Sequence, residues 1–137
     1  MIVLDTNVIS EVMRPRPEAR VQAWLDGQSI DTLYVSSITV AELLFGVGAL
    51  PVGARKDRLR KAADGLLALF AGRVLAFDQE SARRYAEIAV DARRLGRSLA
   101  VADGYIAAIA ASRSFAVATR NVSDFEYAGV EIINPWD

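Results

Sequence analysis

Five short runs, Met1–Leu4, Leu33–Val35, Val74–Phe77, Phe115–Thr119 and Glu131–Ile133, are apolar at nearly every position rather than at alternate ones. A strand without a polar face must be covered on both sides, the situation of parallel strands joined by helical crossovers. The intervening segments supply the helices. Between Arg55 and Phe70, Leu59, Ala62, Ala63, Leu66, Leu67 and Phe70 recur at i, i+3, i+4, i+7, i+8 and i+11, with Arg58, Arg60, Lys61 and Asp64 turned elsewhere. Asp78 is suited to cap a helix that passes through Ala82, Tyr85, Ala86, Ala89 and Ala92, ends on Arg93 and Arg94, and stops at Gly96. Ser37 to Leu50 and Ala100 to Ser112 read as further helices, the second so rich in Ala and Ile that most of its surface should be buried. Arg14-Pro15-Arg16-Pro17 breaks a first helix and allows another to start near Glu18. The expected fold class is α/β: a three-layer α/β/α sandwich around a central, mainly parallel sheet of about four to five strands. At 137 residues, with no internal repeat or linker, residues 1–137 form one domain on this reading.

Composition restricts the chemistry. There is no histidine and no cysteine, which removes disulfides, thiolate nucleophiles, Ser-His-Asp triads and structural zinc sites. Any catalysis must run on carboxylates, hydroxyls, Lys, Arg or a hard metal ion. The 16 Lys and Arg nearly balance the 17 Asp and Glu, so no global basic field announces nucleic acid, although a local Arg patch can still bind phosphate. The N-terminus lacks a signal or transit pattern, and no apolar run is long enough to cross a bilayer; a cytoplasmic protein with no membrane partner is expected.

Four acids and one amide then stand out by position. Asp5 ends the first strand, and ligands of open α/β sheets bind beyond the carboxyl ends of strands; it either caps the next helix or faces such a ligand. Glu42 sits in the first turns of an apolar helix after the second strand, facing solvent or a cation. Asp103 is the only charge in Leu99–Ala111; it either complements the helix dipole or points into the cleft that Asp5 enters. Asn121 and Asp124 follow the fourth strand, three residues apart, where they cap a loop or offer two oxygen ligands. Carboxylates converging on one sheet edge would repel one another and raise each other's pKa unless a cation neutralised them. With only oxygen donors available, the expected ion is Mg²⁺, with Mn²⁺ as a substitute, and the matching chemistry is phosphodiester hydrolysis.

The order and spacing of Leu4-Asp5-Thr6-Asn7-Val8-Ile9-Ser10-Glu11, Thr39-Val40-Ala41-Glu42-Leu43, Ala102-Asp103, Thr119-Arg120-Asn121-Val122-Ser123-Asp124-Phe125 and Ile133-Asn134-Pro135-Trp136 resemble the PIN-domain ribonucleases. Within that family they look like the VapC/FitB toxin branch of bacterial type II toxin–antitoxin systems. The resemblance covers essentially the whole chain. It implies a PIN-like fold and a Mg²⁺- or Mn²⁺-dependent endoribonuclease that cuts single-stranded RNA. It also implies a cognate antitoxin of the VapB or FitA type, which inhibits the toxin and binds operator DNA, and a homodimer. Asp5, Glu42 and Asp103 match three family acids, taken as catalytic residues and metal ligands; Thr6 and Thr119 match hydroxyls that orient ligands or water. The fourth position departs, with Asn121 where family members commonly carry an acid, and either Asn121 or Asp124 would complete the catalytic set. Arg14, Arg16, Arg93, Arg94, Arg97 and Arg120 are candidates for guiding an RNA backbone.

Other readings are open to a chain of this kind. A receiver-like phospho-acceptor domain needs a lysine after a late strand, whereas Lys56 and Lys61 both lie in the amphipathic helix. An Asp-x-Asp-x-Thr phosphatase fails at Thr6 and Asn7. A non-catalytic PIN-like binding or scaffold module, acting through a partner protein, is the alternative. The apolar bulk of Trp24, Leu25, Leu43, Phe45, Leu50, Leu66, Leu67, Leu69 and Phe70 exceeds what a small sheet requires and suggests a partner surface.

Overall fold

The computed structural model describes residues 1–137. Strands β1 (Ile2–Leu4), β2 (Leu33–Ser36), β3 (Val74–Leu75), β4 (Ala116–Ala118) and β5 (Ile132–Ile133) alternate with helices α1 (Thr6–Val12), α2 (Ala19–Asp26), α3 (Ser37–Gly48), α4 (Ala54–Leu69), α5 (Gln79–Arg94) and α6 (Val101–Ser112). All four pairings are parallel, and the sheet order is β3-β2-β1-β4-β5. The chain winds outward from β1 through β2 to β3. It then uses α5 and α6 to cross back and lay β4 on the other side of β1.

Successive residues of a strand point to opposite faces, and the two cores divide accordingly. Leu4, Leu33, Val35 and Ala118 face Val8, Ile9, Val21, Leu43, Val47 and Ala63 of α1 to α4. Val3 and Val117 face Ile88 of α5 and Ile106, Ala107, Ala108 and Ala110 of α6. This is the three-layer, parallel-sheet architecture expected from strands with no polar side.

Local chemistry fixes the element ends. The carboxylate of Asp78 accepts hydrogen bonds from the Ser81 amide at 2.9 Å and its hydroxyl at 2.8 Å, which caps α5. At the other end Gly96 takes φ 68°, and the Arg97 amide reaches back to the Ala92 carbonyl at 2.9 Å, closing the helix as a glycine cap does. The edge strands are shorter than their apolar runs. β3 keeps only Val74 and Leu75, and Val74 is 44% exposed. An edge strand pairs on one side only, and beyond it Phe77 leaves the ladder to pack against Tyr85 and Tyr105, with ring centroids 6.4 and 4.5 Å away. No helix is long and apolar enough to cross a membrane.

Candidate functional site

The strand order reverses between β1 and β4, and a doubly wound sheet opens a crevice at the carboxyl ends of those strands. Asp5 stands just beyond β1 and Thr119 just beyond β4. Asp5 is 3% exposed, so its carboxylate needs internal partners. Its Oδ1 accepts from the Thr6 amide at 2.7 Å; its Oδ2 accepts from the Thr119 hydroxyl at 2.8 Å and the Asn7 side-chain amide at 3.2 Å. The Asn121 amide donates to the Thr119 hydroxyl at 3.0 Å and the Arg120 amide to Asn7 Oδ1 at 3.3 Å. The turn after β4 is thereby fastened to the turn after β1.

Glu42, exposed on α3, is held from the same side: its Oε1 accepts from the Thr6 hydroxyl at 2.8 Å. The Thr6 hydroxyl also lies 3.1 Å from that of Thr39, which in turn lies 3.3 Å from that of Ser36. Each hydroxyl has one proton. Thr6 therefore shares its one proton between Glu42 and Thr39, Ser36 donates to Thr39, and the three hydroxyls and the carboxylate form one connected network. Ser36 and Thr39 are fully buried. Ser36 also accepts from the Thr39 amide at 3.0 Å as the cap of α3, a role that hides its second use in the sequence.

Asp103 occupies the first turn of α6, half-buried. Asp5, Glu42, Asp103 and Asn121 line one open pocket of about 460 Å³ together with Asn7, Ser10, Glu11, Arg14, Arg120 and Trp136. Asp124, in the helical turn Val122–Phe125, does not line that pocket, but its charge is felt by both Asp5 and Asp103, and its side chain is within hydrogen-bonding reach of Asp103. Asn121 thus borders the pocket, while Asp124 acts on it through its charge. Among the arginines singled out above, Arg14 and Arg120 line the pocket; Arg16, Arg93, Arg94 and Arg97 do not. Arg94 and Arg97 are engaged with Asp91 and Glu126 instead. Glu11, not expected as a site residue, lines the pocket while only 7% exposed, its charge met by Arg14 at 3.5 Å.

The electrostatics are those of acids crowded without enough countercharge. Burial pushes the Asp5 carboxyl up from its ordinary value, against the opposing pull of the Thr119 and Thr6 hydrogen bonds, and Glu42 and Asp124 add repulsion. Asp103 is pushed up to about 6, first by burial and then by the charges of Asp5, Asp124 and Glu42. A divalent cation would relieve this repulsion, and every donor offered is oxygen, which suits Mg²⁺ or Mn²⁺. No three acids stand close enough to grip one ion by themselves. That spacing fits an ion held through one or two carboxylates and completed by water, the usual manner of Mg²⁺.

A second, larger groove of about 940 Å³ runs between α1, α3 and α4 and meets the acid pocket at Thr6, Ser10, Arg14 and Glu42. Its walls include Met13, Leu43, Val47, Leu50 and Leu59. The apolar bulk singled out in the sequence divides here. Leu43 and Phe70 belong to the core, and Trp24, Leu25, Leu66 and Leu67 pack against it. Phe45 and Leu69 stay 77% and 59% exposed.

Residues 2–129 match the PIN domain family. The chain is 51% identical to the VapC ribonuclease Y4jK of Sinorhizobium fredii, over all of this chain and 99% of that protein. It is 50% identical to the toxin FitB of Neisseria gonorrhoeae, over 99% of each. Among solved structures, FitAB bound to the IR36 DNA fragment contains a chain that superposes with a TM-score of 0.95 at 48% identity, covering 100% of this chain and 96% of that one.

Proposed function

The chain belongs to the PIN domain family, and from that premise we propose that it is a divalent-metal-dependent endoribonuclease toxin that hydrolyses phosphodiester bonds of single-stranded RNA. The observation that carries the proposal is the convergence of Asp5, Glu42 and Asp103, from three separate elements, on one pocket where their charges repel. Such an arrangement raises the free energy of the metal-free protein and suits a bound cation.

Asp5 and Asp103 would hold the ion most directly, Glu42 through a water, and Asn121 or Asp124 would complete the shell. When bound, Mg²⁺ or Mn²⁺ would neutralise these carboxylates, ease ionisation of a water and offset charge on the phosphodiester in the transition state. The chain's own groups supply position. Thr6, Asn7 and Thr119 fix both oxygens of Asp5, and such preorganisation spares reordering during reaction. Glu42 has Oε1 committed to Thr6 and keeps Oε2 to orient the attacking water and accept its proton. With no histidine in the chain, the histidine acid–base route through a 2′,3′-cyclic phosphate has no agent. The products expected are 5′-phosphate and 3′-hydroxyl ends.

A cognate antitoxin of the VapB or FitA type is the proposed inhibitor, and the apolar groove beside the acids is where its segment would lie. Two points support this: the groove opens onto Glu42, and the superposing FitAB structure is a complex bound to DNA. The complex would bind operator DNA, and the toxin would act in the cytoplasm as a homodimer. The test is cleavage of total RNA by antitoxin-free protein in Mg²⁺ or Mn²⁺ and in EDTA, beside Asp103→Asn purified identically. Metal-dependent cutting lost in Asp103→Asn is expected; equal cutting by both proteins, or none with either metal, contradicts the proposal.

A further inference from the structure

Trp136 is the one hydrophobic residue among the eleven that line the acid pocket. Its place is fixed by the backbone rather than by chance of a tail. Its amide donates to Asn134 Oδ1 at 3.0 Å, its carbonyl accepts from Arg20 Nη1 at 3.3 Å, and its side chain packs against the core that α1 to α4 share with the sheet. The Arg120 guanidinium lies 5.3 Å from the centre of the indole, in cation–π range.

Arg120 differs from the other cation of the pocket. Arg14 is paired with Glu11 at 3.5 Å, whereas Arg120 forms no ion pair although Asp5, Glu11, Glu42 and Asp103 share its pocket. Its backbone is tied to Asn7, so the side chain starts from a fixed point beside Asp5. The pocket thus combines acids with a guanidinium that lies over an aromatic ring at cation–π distance. Acids alone repel a polyanion. A planar cation stacked on an indole attracts one and can also receive the face of an unpaired base.

We propose that Arg120 and Trp136 are positioning residues for the substrate, stacking the base of a nucleotide that flanks the cut phosphate and drawing its backbone toward the acids. The proposal rests on the ribonuclease reading above and specifies its substrate as an RNA with an unstacked base beside the cut. In a duplex, bases are stacked on their neighbours and cannot reach the pair, which therefore selects single strands.

The test is steady-state cleavage of a short single-stranded RNA in Mn²⁺ by the wild type, Trp136→Ala, Trp136→Phe, Arg120→Ala and Arg120→Lys, with thermal unfolding to verify folding. Trp136→Ala and Arg120→Ala should each raise KM by about 5- to 150-fold, the usual worth of one base–aromatic stack, with kcat within about twofold of the wild type. Trp136→Phe keeps an aromatic face and should restore most of the KM. Arg120→Lys keeps charge but not the plane and should restore less. Abasic substitution along the RNA should raise KM at one flanking position in the wild type and have no effect there in Trp136→Ala. Cleavage by the wild type with KM unchanged in both alanine variants overturns the inference and leaves the ribonuclease reading intact. Loss of binding to an antitoxin in those variants, again with KM unchanged, assigns the pair to a protein interface and also overturns it. Absence of cleavage by the wild type in any metal removes the ribonuclease reading itself.

Discussion

Replacing Asp103 by Asn should make the metal-free protein more stable at neutral pH. In the fold the Asp103 carboxyl is raised from 3.8 to about 6, chiefly by burial and by Asp5. A raised carboxyl pKa means that the folded protein holds its proton more tightly than the unfolded chain does. The charged form therefore costs stability: the penalty is fully present above about pH 6, shrinks as pH falls, and is gone below 3.8. A shift of about two units corresponds to about 3 kcal/mol at full strength, and about 1–2 kcal/mol once screening of this half-exposed side chain is allowed for. Asn keeps the shape without the charge. In EDTA at pH 7.5, Asp103→Asn should melt about 3–6 °C above the wild type, and the difference should vanish near pH 4. Adding Mn²⁺ should raise the wild type and reverse the order, since an ion that binds only the folded state stabilises it. A variant less stable than the wild type in EDTA at pH 7.5, or a difference that does not change with pH, would refute the account of repulsion.

Three further outcomes follow from the geometry. Thr6→Val removes the hydroxyl that holds Glu42 and ends the Ser36–Thr39 chain; kcat in saturating metal should fall about 10-fold, and unchanged kcat would show that Glu42 needs no orientation. Gly104→Ala places a Cβ 2.8 Å from a ring carbon of Tyr85, which is itself wedged against Phe77 and Tyr105, so urea unfolding should show a loss of about 1–3 kcal/mol; wild-type stability would mean that the α5–α6 packing yields. End-labelling of cleavage products should find 5′-phosphate and 3′-hydroxyl termini, and cyclic phosphate ends would exclude the hydrolytic route.

The layer architecture was legible because its cause is compositional: β1, β2 and β4 are buried on both faces, and a parallel sheet is what such strands form. The edges were less so, since Ala76 and Phe77 continue the apolar run of β3 while pairing on one side gives no reason for the ladder to extend. Asp5 and Glu42 could be read because each is a charge in an apolar context after a strand, and Asp103 because it is the only charge in the apolar helix α6, which precedes β4; the parallel topology brings all three to one pocket. What escaped was the support. Ser36 and Thr39 at the start of a helix look like capping residues, and nothing local shows that Thr39 meets Thr6 from another helix. Glu11 belongs to a seven-residue helix, too short for periodicity to tell its buried face from its exposed one. The contact of Arg120 with Trp136 depends on β5 returning beside β4, a pairing the linear order does not announce.

The central claim, that this fold gathers acids to hold a divalent ion, is tested most directly by calorimetric titration of Mn²⁺ into the purified protein, its Asp103→Asn variant and its Glu42→Gln variant at pH 6. Saturable binding to the wild type is expected with release of protons, measured as a dependence of the heat on buffer ionisation enthalpy, because Asp103 is about half protonated there. Binding should be largely lost in Asp103→Asn and weakened in Glu42→Gln. No saturable heat with the wild type, or equal binding by all three proteins, would contradict the claim.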